Sequence, residues 1–190
     1  MNQQSWDAQA EHFDEEADHG LSDPRVRAAW RDLLRAALPT PPALIADLGC
    51  GTGTISRLLT EQGYAVDGVD FSPKMIERAR AKTPEARFIV ADAAEPPLAP
   101  AAYDVVLCRH VLWALPDPAA ALTAWRALLA PEGMLVLIEG HWGTGAGLSV
   151  TAMQRLLKGA VCEAQFTLLN DPAYWGKPIT DERYLALARP

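Results

Sequence analysis

Two periods alternate along this chain. Leu44–Leu48, Tyr64–Val69, Ala86–Ala91, Tyr103–Cys108 and Gly133–Glu139 are short, largely apolar runs of strand length. Between them, Thr54–Gln62, Pro73–Lys82 and Pro118–Ala130 place apolar residues three and four apart, as helices do. Ser72 before Pro73 and Asp117 before Pro118 read as N-caps followed by a proline at the first helical position. The same signature at Asp23-Pro24 opens an earlier helix with Val26, Trp30, Leu33, Leu34 and Ala37 on one face, and Pro39, Pro41 and Pro42 end it. After the fifth strand the pattern predicts a short amphipathic helix over Leu148–Lys158. Two strands follow, Ala160–Leu169 and Arg183–Ala188, joined by a long turn from Asn170 to Pro178. Strands alternating with helices predict an α/β fold, a doubly wound and mostly parallel sheet with helices on both faces and ligands at the strand C-terminal ends.

Chemistry concentrates where the first strand ends. Asp47-Leu48-Gly49-Cys50-Gly51-Thr52-Gly53-Thr54 turns an apolar strand into a helix through three alternating glycines. Such a turn lets backbone approach a ligand closely, and the helix start leaves free N–H groups for it. The dinucleotide fingerprint G-x-G-x-x-G/A would put a small residue at position 54, where Thr54 stands, and the third glycine is Gly53 instead. Asp70, closing the second strand, is spaced to hold two ribose hydroxyls.

Composition narrows the class. The chain has 190 residues, 49% hydrophobic, with a net charge of −7, which suits one domain with a sizeable core. That balance argues against a nucleic-acid partner, and no apolar run is long enough to span a bilayer. Cys50, Cys108 and Cys162 lack a C-x-x-C pair and read as buried reduced thiols in a cytoplasmic protein, and no metal-ligand cluster is evident. Residues 1–22 carry six acidic residues and no Lys or Arg, with Trp6, His12, Phe13 and His19 interspersed, so both a solvated tail and a lid are open readings.

The D-x-G-x-G-x-G of Asp47–Gly53 resembles motif I of the class I S-adenosylmethionine (SAM)-dependent methyltransferases. The likeness is strongest to small standalone bacterial members of the ubiquinone-biosynthesis-like branch and covers nearly the whole chain. It implies a seven-stranded sheet whose last strand is antiparallel, SAM as cofactor and S-adenosylhomocysteine as product. It divides the chain into a lid and helix (1–38), a cofactor-binding core (43–139) and a short substrate cap with a terminal strand pair (140–190). The resemblance assigns Asp47, Gly49, Cys50, Gly51 and Gly53 to the cofactor cradle and Asp70 to the ribose. Asp92 and Ala93 then meet the adenine, which Phe71 and Met75 flank, although Met75 equally reads as helix packing. Arg109 and His110 fall beside the methionine part and the reactive methyl. Trp6-Asp7-Ala8-Gln9-Ala10-Glu11-His12-Phe13-Asp14 is similar to the family's W-D-x-x-A-x-x-[YF]-D lid, which brings Trp6 and Phe13 over the cofactor.

A sulfonium methyl is already activated, so such an enzyme mainly aligns the reactants and excludes water. If a base is needed, His110 is the first candidate and His141 the second, with His12 and His19 available through the lid. The implied reaction is methyl transfer to an O, N or C nucleophile of a small molecule, by a monomer or homodimer. The competing readings are a SAM-binding protein without transfer and, disfavoured by Thr54, a nicotinamide oxidoreductase.

Overall fold

The computed structural model describes residues 3–160 and 162–190. Met1, Asn2 and Val161, which the lid and sixth-strand expectations included, lie outside the described residues. Seven strands form one sheet in the order β3-β2-β1-β4-β5-β7-β6. They are β1 (Leu44–Leu48), β2 (Ala65–Asp70), β3 (Arg87–Val90), β4 (Tyr103–Arg109), β5 (Leu129–His141), β6 (Glu163–Leu168) and β7 (Glu182–Arg189). Neighbours from β3 to β5 pair in parallel, and β7 lies antiparallel between β5 and β6. The chain therefore runs outward from β1 to β3 and returns to β4 on the other side of β1. At that reversal the connections leave in opposite directions, and a crevice opens at the strand C-terminal ends.

Among the described residues, seven α-helices accompany the strands: α1 (Gln3–Gln9), α2 (Ala17–Gly20), α3 (Pro24–Ala37), α4 (Thr54–Thr60), α5 (Pro73–Lys82), α6 (Pro118–Leu128) and α7 (Val150–Gly159). Period two divides the strand side chains between two cores. Ile45, Val105, Leu107, Val136 and Ile138 face α3 and α4 through Trp30, Leu34, Leu58 and Leu59. Ala46, Leu48, Val106, Cys108, Leu135 and Leu137 face α6 and α7 through Leu122, Trp125, Met153 and Leu157. Because both faces are covered, the central strands are apolar without alternation.

The predicted caps are present. Asp23 accepts from the Arg25 N–H, Ser72 from Met75 and Asp117 from Ala120. Boundaries shift where a local constraint overrides periodicity. α4 stops at Thr60 rather than Gln62, ahead of Gly63 at φ 92°. α6 ends at Leu128, short of Ala130, because Pro131 disfavours helical backbone before it; Leu129 instead pairs with Tyr103 and starts β5 four residues ahead of Gly133. The last helix begins at Val150 under a Ser149 cap, while the Leu148 N–H bonds to the Gly140 carbonyl. Ala160 closes α7, so β6 begins at Glu163.

The turn from Asn170 to Pro178 is pinned to the core at Tyr174 and Trp175. Trp175 is fully buried with its indole N–H on the Leu169 carbonyl at 2.7 Å, and the Trp30 indole donates to the Tyr174 carbonyl at 2.8 Å. The Trp30 bond fastens α3 to this turn. Among the described residues, no helix is long and apolar enough to cross a membrane.

Candidate functional site

The crevice at the reversal is a cavity of about 200 Å³, walled by the glycine turn, the ends of β2 and β4, the Asp92-Ala93 turn after β3, and the N-terminal segment. Of the residues expected at a nucleotide, Trp6, Phe13, Asp47, Gly49, Cys50, Gly51, Asp70, Phe71, Met75, Asp92, Ala93 and Arg109 all line it, and so does His110. Gly53 does not. It is the N-cap of α4 at φ 75°, and its back packs on Ala79 and Phe88.

Backbone conformation explains the turn. Gly49 has φ 75°, and a Cβ there would stand 2.3 Å from a Val111 methyl; Gly51 has φ 53°. A side chain is thus excluded at Gly49 by dihedral and by space, and disfavoured at Gly51 by its dihedral. Asp70 holds the turn open: one oxygen accepts the Gly51 N–H at 2.9 Å and the other the Ser72 N–H at 2.9 Å. Burial pushes its pKa up, against the pull of those N–H groups. Asp47 is buried at the end of β1 and accepts the Ser56 hydroxyl at 2.6 Å. Burial raises its pKa to about 6, opposed by the Ser56 bond. Asp92 is exposed and caps the Ala94 N–H at 2.8 Å. Met75 combines both of its readings, being 1% exposed under α5 while lining the cavity.

Arg109 differs from expectation in where its charge goes. One Nη donates to the Asp18 carbonyl at 2.6 Å, and the guanidinium lies 4.4 Å over the Trp30 ring. Its Nε is buried without an acceptor among the described residues, and burial lowers its pKa to about 10. His110 occupies a left-handed backbone conformation, φ 59°, at the end of β4. Its ring stands 5.5 Å from Trp142 and 6.0 Å from Trp175, and neither ring nitrogen has a partner among the described residues. Burial, with Arg109, Arg183 and His19 nearby, drives its pKa well below 6.5 and leaves the imidazole neutral.

His141 and His12 are not part of this site. His141 is exposed and lines a separate surface hollow with Asp181 and Glu182. His12 is exposed and pairs with Glu15 at 2.6 Å, which raises its pKa. His19 does reach the cavity, stacked on Phe13 with ring centroids 4.4 Å apart.

The acidic N-terminal segment folds onto the core beside the cavity. Asp14, Thr52, Thr54 and Lys82 form a polar cluster beside the glycine turn, a grouping that no local sequence signal announces. Glu139 was not among the expected site residues, although its place as the single acid ending an apolar strand was a signal for it. It is fully buried with both oxygens lacking a regular hydrogen bond among the described residues. Burial pushes its pKa to about 8, opposed by the facing N–H groups of Leu112, Trp113 and Val111.

A stability prediction follows from Glu139. Its ordinary value is 4.5, so the folded protein holds this proton more tightly than the unfolded chain. The resulting stability is complete below the unfolded value and is lost as pH rises through about 8, at up to about 1.4 kcal/mol per pH unit. Glu139→Gln keeps the neutral shape at every pH. Thermal melts across about pH 5.5–9 should show the variant gaining on the wild type toward the alkaline end. Parallel curves would contradict a proton held there.

Residues 46–137 match the family model described as "Methyltransferase domain". Over 121 residues the chain is 41% identical to trans-aconitate 2-methyltransferase of Methylobacterium radiotolerans, covering 62% of this chain and 45% of that one. Over 122 residues it is 35% identical to ubiquinone biosynthesis O-methyltransferase of Xylella fastidiosa, covering 62% and 48%. These alignments span about half the length of the curated relatives. Among solved structures, a chain in the complex of the Haloferax volcanii Trm112 methyltransferase activator with a methyltransferase superposes with TM-score 0.75 at 19% identity, covering 96% of both chains.

Proposed function

We propose, from the match of residues 46–137 to the methyltransferase domain model and from the curated relatives, that this chain is a class I SAM-dependent methyltransferase moving the methyl group of SAM to an O, N or C nucleophile of a small molecule. The observation that carries this reading is the cavity at the β1–β4 reversal, where a glycine turn meets carboxylates from two successive strand ends. The residues present fit the nucleotide. Gly49 and Gly51 leave backbone room for its amino-acid half, Asp70 stands for the ribose, Asp92 and Ala93 for the adenine, and the unpartnered Arg109 Nε offers a donor. When bound, SAM supplies a methyl already activated by its sulfonium.

The protein's own work is then alignment and shielding. Trp6, Phe13 and His19 close the cavity from the lid side and keep water out. His110, neutral and with neither ring nitrogen partnered among the described residues, takes a proton from a hydroxyl or acidic C–H acceptor. Free Cys50, Cys108 and Cys162 fit a reducing compartment, so a cytoplasmic setting belongs to the proposal.

Calorimetry with S-adenosylhomocysteine and with NADH tests the site, and binding of the first alone is expected. Radiolabelled SAM offered with hydroxylated aromatics and with trans-aconitate then tests transfer. Binding without turnover on any acceptor would favour a SAM-binding protein that does not transfer methyl; no binding would end both readings.

A further inference from the structure

Three aspartates of the N-terminal segment each grip a different part of the core. Asp7 accepts the Ser72 hydroxyl at 2.5 Å at the start of α5. Asp18 stands 3.6 Å from both Arg109 and Arg183. Asp14, between them, belongs to a closed network. The Lys82 ammonium has three N–H donors, and they reach Asp14 Oδ2 at 2.7 Å, Thr54 Oγ1 at 2.8 Å and Thr52 Oγ1 at 3.0 Å. Both hydroxyls in turn donate to Asp14 Oδ1, at 2.5 and 3.2 Å. Every donor in the group is used.

Within that network only Asp14 comes from the lid. Thr52 and Thr54 belong to the glycine turn and Lys82 ends α5. The residue before Asp14 is Phe13, whose ring covers Gly51, 3.5 Å from where a Cβ would stand. Burial, and more weakly Arg57 and Arg78, disfavour a bare ammonium at Lys82, and the Asp14 carboxylate opposes them as its neutralising partner.

We propose that Lys82, acting through Asp14, is a positioning residue that latches the lid over the glycine turn and thereby sets how fast the nucleotide leaves. The inference rests on the proposed methyltransferase site. The pair suits a reversible latch: the two side chains are 18% and 34% exposed, buried enough to attract and open enough for water and salt to compete. On opening, water replaces each bond that the lysine and the two hydroxyls lose.

Release of S-adenosylhomocysteine from the full chain, followed by stopped-flow tryptophan emission, is the test. Lys82→Met keeps the stem and removes the charge; it should speed release about tenfold, a difference of about 1.4 kcal/mol, while association changes less than about threefold. Lys82→Arg should restore slow release. Wild-type release should accelerate between about 0.05 and 0.5 M NaCl, and that of Lys82→Met should not. Amides 10–20 of the ligand-free variant should also exchange faster with solvent hydrogen. A purely structural lysine would lower the melting temperature and leave the salt response intact. Asp14→Asn should reproduce Lys82→Met and carries the test alone if that variant fails to fold. Binding with release unchanged within about twofold, and the same salt response, overturns the latch only. A wild type that does not bind S-adenosylhomocysteine overturns the site and the latch together.

Discussion

Replacing His110 is expected to lower kcat by about 10²–10⁴-fold while leaving the Kd for S-adenosylhomocysteine within about threefold, the range lost when a general base is removed. The expectation rests on an imidazole at the end of β4, inside the cavity, with both nitrogens shut away and unpartnered among the described residues. Leaving a buried polar group unpaired is costly, and such cost persists at sites where a ligand relieves it. The backbone there is strained as well, at φ 59°. Alanine would remove the ring but keep that strain, so His110→Asn is the cleaner variant, since asparagine tolerates the left-handed region. Equal losses in kcat and in affinity would make His110 a binding residue. Its pKa, held well below 6.5 by burial and by neighbouring cations, gives a second check. A group already neutral at pH 6.5 produces no fall in kcat/KM as pH drops through that value. An acid limb near 6.5 that vanishes in His110→Asn would contradict the assignment of a low pKa.

Removing the Asp70 carboxylate should weaken S-adenosylhomocysteine binding by about 10²–10³-fold, more than one ribose hydrogen bond accounts for, because buried donors are stranded as well. The structure supplies the reason. Asp70 accepts from Gly51 and from Ser72, so it organises the glycine turn and the start of α5 before any ligand arrives. Asp70→Ala strands both N–H groups, while Asp70→Asn keeps an acceptor oxygen for one of them. Calorimetry on both variants should therefore rank alanine below asparagine. A loss of less than about threefold for Asp70→Ala would show that the turn stands without it.

The N-terminal segment shows where reading the chain stops. Six acids without a cation in the first 22 residues left a solvated tail and a lid both open. Three of those acids are anchors, and the Lys82 partner of Asp14 is 68 residues away. Arg109 marks a similar limit. Its position at the end of β4 was legible, but its stacking on Trp30 and its bond to Asp18 depend on where α2 and α3 dock.

By itself the sequence determined the alternation of strands and helices, the proline-marked caps, the glycine turn and the acids at strand ends. Each of these is a local matter of dihedrals, period or spacing, and local rules act before the chain is compact. Only the tertiary structure decided that His110 and not His141 enters the cavity, that Gly53 packs behind the turn, and that the acidic segment is clasped to the core. Those outcomes depend on which distant groups burial brings within a few ångströms of one another, and no short stretch of chain encodes that.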